Sequence, residues 1–233
     1  DVPVGDYLSG EIDSTFTSAL VKKNFNNFLC TFSVRFTDDR FDETHYQESA
    51  IKALKTEHRS IRCSEDNINE IFPKVIWHTE TPILRTSPAP LYHLSRLVRD
   101  NDFKVVLTGE GADEIFAGYN IFKEDKVRRF WARHPDSRLR PELLKKLYPY
   151  IFTQQNEKAG AFLRGFFKKG LSDTDSPIYS HFLRWHNTAQ LKNFFTADLK
   201  NQTADLAHFI ERYISKLPPD FLSFDPLNRA QYT

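Results

Sequence analysis

The segment 9–15, Ser-Gly-Glu-Ile-Asp-Ser-Thr, places a glycine, hydroxyl side chains and carboxylates at the start of a helical pattern. The backbone N–H groups of a helix start, together with hydroxyl donors, suit a phosphate group. Asp13 would repel a bare phosphate but can hold a magnesium ion that bridges phosphate oxygens. Taken alone, the same residues also fit an ordinary turn in which Asp13 or Ser14 caps a helix.

A second segment that could carry chemistry is 108–114, Thr-Gly-Glu-Gly-Ala-Asp-Glu, which follows the strongest strand candidate of the chain. Gly109 and Gly111 permit tight backbone geometry. The three carboxylates repel one another unless a cation or a proton donor lies among them. This favours a metal or proton-transfer role, most clearly for Glu110. Asp113 and Glu114 also fit a helix cap and a partner of the helix dipole.

The elements around these segments predict a parallel sheet covered by helices, because strand-like runs alternate with helical patterns through the first half of the chain. Strands are predicted at 4–8, 28–36, 60–63 and 103–108, and helices at 15–23, 43–57, after the N-cap Ser64, and at 89–100. In an open parallel sheet, ligands bind at the carboxyl ends of the strands. Both glycine turns are therefore expected to face one site.

Several helical details are expected from the apolar spacing. Phe16 and Leu20 share one side of the first helix, and Leu91 faces inward on the fourth. Pro73 is expected to bend or split the third helix. Beyond Tyr119 the patterns are helical, charged and aromatic, without a convincing strand. The predicted fold class is α/β, a parallel sheet with flanking helices plus a mainly helical extension.

Composition narrows the classes of partner. The chain has 233 residues, of which 40% are hydrophobic and 27% charged, which is typical of a globular protein. Its formal net charge of +1 provides no overall field that would attract a polyanion. Neither a nucleic-acid nor a membrane partner is therefore predicted.

The remaining sequence signals favour a cytoplasmic protein. Cys30 and Cys63 lack the spacing of a redox or zinc site, and reduced thiols are expected. No apolar run approaches the roughly 18 residues that cross a bilayer, and no signal peptide opens the sequence. His181 and His186 are five residues apart and form no zinc-binding pattern. The sequence contains no methionine, which favours a piece of a longer polypeptide.

Taken together, the two glycine segments resemble the asparagine synthetase family. Residues 2–15 are similar to its PP-loop segment, whose usual core is S-G-G-[LIV]-D-S-[ST]. Residues 107–119 are similar to its second block, usually G-E-G-[AS]-D-E-[LIV]-F-x-G-Y. Phe41–Glu43 and Glu80–Pro82 with Arg85 also resemble the family. The resemblance implies a PP-loop ATP-binding region over residues 1–120 and a helical extension of the same synthetase domain over 121–233.

The chemistry that the resemblance implies is that of an asparagine synthase (glutamine-hydrolysing)-like ligase. In that family, ATP and Mg²⁺ activate the side-chain carboxylate of aspartate as β-aspartyl-AMP, with release of pyrophosphate, and ammonia then displaces AMP. The implied substrates are aspartate or a similar carboxylate, and ammonia from a glutaminase domain or a partner. The resemblance also allows a homodimer.

The resemblance implies a role for each site residue. Pyrophosphate and its magnesium would be held by Ser9, Gly10, Asp13, Ser14 and Thr15. Backbone groups around the adenosine would come from Leu8, Val34, Thr108 and Gly109. Glu110 would accept a proton from the incoming amine, and Asp113 would bind magnesium or the substrate amine. Both reactants would thus be oriented in one crevice.

The sequence departs from the family pattern in three places. Glu11 stands where the family has its second loop glycine, so it either obstructs pyrophosphate, turns outward or joins the magnesium shell. The given residues include no glutaminase domain ahead of Asp1, so ammonia is expected to come from a missing segment, a partner or solution. The family segment that carries a catalytic lysine is expected to lie beyond Thr233. The fragment as given is therefore expected to be inactive alone.

Other functions stay open at this point. Relatives with the same adenylation chemistry form other amides or close lactam rings. A PP-loop enzyme that acts on transfer RNA would need a basic patch, and Arg128, Arg129 and Arg133 are better explained as a solvated helical face because acidic residues interrupt them. A catalytically impaired, nucleotide-binding homologue is the alternative that Glu11 favours.

Overall fold

A computed structural model describes residues 2–25, 28–149 and 157–233 of the protein. The chain divides into two compact units, Asp1–Ala112 and Asp113–Thr233. The first unit contains the sheet, and the second is built from helices. In the described part of the chain, no helix is both long and apolar enough to cross a membrane.

Four parallel strands form the sheet of the first unit. They are β1 (Val4–Tyr7), β2 (Cys30–Phe36), β3 (Glu57–Cys63) and β4 (Val105–Leu107). Their order is β3-β2-β1-β4, with Asp6 of β1 opposite both Thr31 of β2 and Leu107 of β4. β2 and β3 follow on one side of β1, and β4 pairs with β1 on its other side. The crevice at this reversal, outside the carboxyl ends of β1 and β4, is where open α/β sheets bind ligands.

Helices connect these strands. They are α1 (Ile12–Asn24), α2 (Thr44–Leu54), α3 (Glu65–Thr79) and α4 (Pro88–Asp100). Ser64 caps α3 as predicted, in a capping box with Asn67. α3 continues past Pro73, so the predicted split is wrong. One proline removes a single N–H donor, and Ile71 and Val75 on either side of it remain buried in the core.

One face of the sheet is apolar and packs against α4. Cys30 and Phe32 of β2 form a buried cluster with Leu94 and Val98 of α4. The Phe32 ring also meets Phe103 edge to face, at 5.2 Å between centroids. Burial of a phenylalanine side chain stabilises a fold by about 2–3 kcal/mol. α4 is therefore held against the sheet by apolar packing. The prediction that Leu91 faces inward is wrong, because this residue is 50% exposed.

The other face of the sheet is polar. Asp6, Thr31 and His58 form one row across β1, β2 and β3 in the strand register. Ser18 of α1 donates a hydrogen bond to Asp6 Oδ2 at 2.7 Å, and both residues are fully buried. α1 thus docks on the sheet through a hydrogen bond between small polar side chains. Its larger apolar residue Phe16 consequently stays 60% exposed.

The buried Asp6 predicts a pH-dependent stability. Burial raises its pKa to about 6, above the ordinary value of 3.8, and Oδ1 has no hydrogen-bond partner in the described structure. The folded carboxyl therefore binds its proton more tightly than the unfolded one, which favours folding at low pH. This stabilisation is lost as the pH rises through 6.

Asp6→Asn removes this ionisation. Between pH 4 and pH 8 the parent should lose about 2 kcal/mol of its free energy of unfolding through Asp6. The Asp6→Asn variant should not show this loss. Urea unfolding at the two pH values measures the difference. A variant whose offset from the parent is the same at both pH values would contradict the assignment.

The second unit is helical in all its described elements. They are α5 (Ala112–Phe116, which starts at the last residue of the first unit), α6 (Asn120–Ala132), α7 (Leu144–Leu147), α8 (Glu157–Lys168), α9 (Phe182–Ala189), α10 (Ala197–Gln202), α11 (Leu206–Ile214), α12 (Pro226–Tyr232) and 3₁₀ helices at Arg140–Leu143, Gln190–Phe194 and Phe221–Ser223. Trp131, Leu144 and Phe167 are buried at the centre of its core. The predicted α/β sheet with a helical extension is confirmed. The prediction that Arg128 belongs to a solvated helical face is wrong, because its side chain is buried and donates to the carbonyls of Phe167 and Tyr179.

Candidate active site

The two glycine turns touch each other at the carboxyl ends of β1 and β4. A Cβ atom on Gly109 would lie 2.8 Å from the backbone nitrogen of Ser14 and 3.1 Å from Asp13 Cβ. No side chain fits between backbones this close. The structure therefore brings Asp13 and Ser14 together with Thr108–Glu110 at one edge of the sheet.

Gly10 gives the first turn its shape. Its φ of +91° lies in the region that side chains rarely adopt. A Cβ here would lie 2.6 Å from the backbone nitrogen of Gln47 and 2.7 Å from the carbonyl carbon of Tyr46. Gly10 therefore rests directly on the first turns of α2, and both conformation and space require a glycine.

Two serine hydroxyls close the first turn from inside. Ser9 Oγ and Ser14 Oγ are 2.8 Å apart, and the backbone N–H of Ser9 donates to Ser14 Oγ at 3.1 Å. The N–H of Glu11 donates to Ser9 Oγ at 3.2 Å. The Thr15 hydroxyl is buried and has no hydrogen-bond partner among the described residues.

The N-terminus of α1 is available to an anion. Its N-cap, Glu11, makes no side-chain capping bond. The first N–H groups of a helix have no partner within the helix and carry a partial positive charge. α1 begins at Ile12, three residues earlier than predicted, so Asp13 and Ser14 belong to its first turn. This places a carboxylate and a hydroxyl beside the positive end of the helix.

Glu11 adopts an extended conformation, with φ −70° and ψ 165°, that any residue can take. The missing second glycine therefore causes no backbone strain. Its side chain is exposed and interacts electrostatically with Glu43 at the start of α2. Burial is the main cause that raises the pKa of Glu43, and the negative charges of Glu11 and Asp42 raise it further. Glu11 thus adds to a patch of negative charge next to the turn.

The second turn is tight and leaves its carboxylate in solvent. The N–H of Glu110 donates to Thr108 Oγ1 at 3.0 Å, and the N–H of Ala112 donates to the carbonyl of Gly109 at 3.2 Å. Gly111 has φ +92°, so it also requires glycine. The Glu110 side chain is exposed at this turn and is free to meet a reactant.

Asp113 is the first residue of the second unit and lies in α5. The N–H of Gly118 donates to its carbonyl at 3.0 Å, and a Cβ on Gly118 would collide with Asp113 Oδ1. Tyr119 donates its hydroxyl to Glu114 at 3.1 Å, while Gln231 of α12 donates to the carbonyl of Ile115 at 2.6 Å. The glycine and tyrosine that follow the acidic residues thus serve to pack and hold α5.

The backbone groups expected around an adenosine lie near the first turn, but two of them already have partners. The N–H of Leu8 donates to the carbonyl of Phe32 at 2.9 Å. The carbonyl of Val34 accepts from the side-chain amide of Gln47 at 2.9 Å. Leu8 itself is buried. The Leu8 N–H has a single hydrogen and cannot serve a ligand while its bond persists, whereas the Val34 carbonyl keeps a second lone pair that can accept a further hydrogen bond.

The donor set suits a magnesium ion that is held partly by a ligand. The described residues contain no group of three or more His, Cys, Asp and Glu side chains arranged to bind a metal. Mg²⁺ is usually bound through one or two carboxylates together with phosphate oxygens and water. Asp13, half-exposed in the first turn of α1, fits that role.

A large cavity lies at the carboxyl ends of β2 and β3, with a volume of about 960 Å³. Phe41, Glu43 and Arg85, which carry part of the sequence resemblance, line it together with Ser64 and Tyr46. Tyr46 also contacts Gly10, so the cavity adjoins the first turn. These residues are up to 44 positions apart in the sequence. The sequence signal that could have predicted their common cavity is that several of them follow the ends of strands.

Comparison with known proteins agrees with this geometry. The asparagine synthase family model matches residues 1–232. An asparagine synthetase [glutamine-hydrolyzing] 1 of Bacillus subtilis is 40% identical over 152 residues, which is 65% of this chain and 23% of that protein. A putative asparagine synthetase [glutamine-hydrolyzing] of Mycobacterium tuberculosis is 37% identical over 124 residues, 53% of this chain and 19% of that protein.

A fungal relative, Amidase chyE of Penicillium rubens, is 31% identical over 140 residues, which covers 54% of this chain and 21% of that protein. The chain thus spans about a quarter or less of the length of these relatives. The family model, however, extends over nearly all of the chain. The protein belongs to the asparagine synthase family.

Proposed function

We propose that the chain is the nucleotide-binding part of an ATP-dependent, amide-forming ligase that adenylates the side-chain carboxylate of aspartate. One observation carries the proposal, the direct contact of Gly109 with Asp13 and Ser14. This contact brings together, at one edge of the sheet, two segments that each suit a different half of the chemistry. Family membership supports the assignment of ATP as the ligand.

The first turn would bind the pyrophosphate portion of ATP. The residues proposed for it are Ser9, Gly10, Asp13, Ser14 and Thr15. The uncapped start of α1 offers N–H donors, and the Ser9–Ser14 pair offers hydroxyls. Asp13 would hold Mg²⁺, which when bound neutralises charge that develops on the leaving pyrophosphate.

Backbone groups at the strand ends would surround the adenosine. They belong to Leu8, Val34, Thr108 and Gly109. We further propose that residues 1–120 form the ATP-binding region and that residues 121–233 extend the same synthetase domain. The proposed nitrogen donor is ammonia released from glutamine elsewhere.

The reaction would run in two displacements. A carboxylate oxygen of aspartate attacks the α-phosphorus of ATP, and the bond to pyrophosphate breaks. Ammonia then attacks the acyl carbon, AMP leaves with the bonding electron pair, and a proton passes from the attacking nitrogen to Glu110. Asp113 would bind magnesium or the α-amino group of the substrate. Proton transfer to a positioned side chain accelerates a reaction by about 10²–10⁴-fold.

Exchange of labelled pyrophosphate into ATP tests the adenylation. The assay uses the longest native polypeptide that carries these residues, with a panel of aspartate, glutamate and other carboxylic acids. Aspartate-dependent exchange is the expected result. Exchange only with a different carboxylic acid would assign a related amide or lactam synthetase, and its absence with every acid would contradict the proposal.

A second candidate, an impaired nucleotide-binding homologue, is favoured by the charge of Glu11 beside Glu43. Glu11→Gly and Glu11→Gln are expected to tighten ATP binding about three- to tenfold, because a negative charge is removed from the approach of a polyanion. Isothermal titration with MgATP measures the change. Glu48→Gln, which removes an exposed carboxylate elsewhere on α2, is the control.

The two substitutions separate charge from size. If both variants lower the dissociation constant for MgATP by the same factor, the charge of Glu11 is the obstacle. If only Glu11→Gly lowers it, the size of the side chain is the obstacle. An unchanged dissociation constant in both would remove Glu11 as an obstacle.

A further inference from the structure

We propose that Gln47 is a positioning residue for the nucleotide site, because its buried side chain fixes α2 to β2 and so holds the platform on which Gly10 rests. This inference deepens the proposed function and rests on it for the identity of the ligand. Gln47 touches neither of the glycine turns with its side chain in the hydrogen bonds that the structure shows. Its influence passes through the backbone of α2.

The turn that contains Gly10 rests directly on α2. A Cβ on Gly10 would lie within 2.6–2.8 Å of Gln47 N, Tyr46 C and Tyr46 Cβ. These distances leave no gap between the two backbones. A shift of α2 by a few tenths of an ångström would therefore force Gly10 to move with it or open a void beneath it.

The side chain of Gln47 attaches α2 to the sheet. Gln47 is 2% exposed. Its Oε1 accepts a hydrogen bond from Ser33 Oγ at 3.0 Å, and its Nε2 donates to the carbonyl of Val34 at 2.9 Å. The carbonyl can only accept, so this bond fixes which end of the amide faces Val34. Both ends of one side chain therefore bind consecutive residues of β2.

Ser33 is in turn supported by His58. His58 Nε2 lies 3.0 Å from Ser33 Oγ, and its Nδ1 lies 2.9 Å from Thr31 Oγ1. Burial lowers the pKa of His58 to about 4, so the ring is neutral at pH 7 and has one donor and one acceptor nitrogen. When the Thr31 hydroxyl gives its proton to His58 rather than to the Glu57 carbonyl at 3.3 Å, donation runs in one direction from Thr31 through His58, Ser33 and Gln47 to the Val34 carbonyl. Such a continuous network helps to fix its members in place.

The network joins two regions that the proposed function assigns to one ligand. Gly10 belongs to the phosphate turn, and Val34 belongs to the adenosine surroundings. Loss of the Gln47 amide would let these two regions shift relative to each other without touching a reacting atom. The expected consequence is weaker ATP binding with nearly unchanged turnover.

The test compares Gln47→Met, which keeps the length of the side chain and loses both hydrogen bonds, with Asn101→Leu. Asn101 at the end of α4 donates to the carbonyl of Leu97 at 2.8 Å, so this control loses the same kind of bond on the helix that packs against the other face of the sheet. In pyrophosphate exchange, Gln47→Met is expected to raise the KM for ATP about tenfold, with kcat within about threefold. Asn101→Leu should leave both unchanged.

A second measurement does not depend on ATP. Amide hydrogen exchange of residues 9–12 in the ligand-free chain should accelerate at least about tenfold in Gln47→Met and remain unchanged in Asn101→Leu. Unchanged exchange at residues 9–12 in a folded Gln47→Met, or the same KM shift in both variants, would overturn the inference. A parent protein without pyrophosphate exchange would instead contradict the proposed function, while the amide exchange still tests Gln47.

Discussion

Gly109→Val should weaken MgATP binding by at least about 100-fold, since displacement of a binding group by an ångström has effects of this size. The first side-chain atom would already lie 2.8 Å from Ser14 N, and valine adds two methyl groups. The β1 and β4 turns would have to separate, and the phosphate donors would no longer face the adenosine groups. Isothermal titration with MgATP measures the loss.

Gly165→Val is the matched control. Gly165 lies in α8, and a Cβ there meets no described atom outside the backbone of its own helix within 4 Å. The same substitution at this position should leave the dissociation constant within about twofold, since the added side chain displaces no described neighbour. If a folded Gly109→Val bound MgATP as the parent does, the contact between the two turns would have no part in nucleotide binding.

Glu110→Gln should separate the two halves of the reaction. Pyrophosphate exchange is expected to remain within about threefold of the parent, whereas amide formation from ammonia should fall by about 10²–10⁴-fold. The amide keeps the size and polarity of the side chain but cannot accept the proton of the attacking nitrogen. Parallel assays of exchange and of asparagine formation measure the two steps.

Glu48→Gln serves again as a control, since Glu48 lies on the surface of α2 and forms a salt bridge with Arg35 of β2. It should leave both steps unchanged. A Glu110→Gln variant that loses exchange and amide formation equally would place Glu110 in nucleotide binding or folding. One that loses neither would exclude it as the proton acceptor.

The fold was predictable because strand and helix patterns have different periods. The turn after β1 and the turn after β4 could be placed at one sheet edge from the order of elements alone. The start of α1 could not, because Ile12 is 81% exposed and gives no inward-facing signal. The buried residues of that helix are the serines Ser14 and Ser18, which a search for apolar periodicity overlooks.

The parts of the site that sequence reasoning missed depend on tertiary contacts between distant residues. Nothing in the pattern around Gln47 marks it as buried, since its role requires both Ser33 and the Val34 carbonyl nearby. The close approach of Gly10 to α2 is likewise invisible, because any turn can contain a glycine. Asp6 reads as an exposed position in a short strand, yet it lies in the centre of the sheet.

Glu11 shows where the structure refines an expectation. The sequence left open whether its side chain obstructs the loop, turns outward or joins a metal shell. The extended backbone removes strain as a cause, and the exposed side chain lies near Glu43. Charge therefore becomes the effect to test, which is why the glutamine variant accompanies the glycine variant.

In the proposed function, two segments almost one hundred positions apart bind one nucleoside triphosphate. Hydrogen–deuterium exchange during a titration with MgATP tests whether they do. We expect peptides that cover residues 8–17 and 107–112 to become protected together, with the same half-saturating concentration of MgATP. Protection of one segment without the other, or at clearly different concentrations, would contradict the claim.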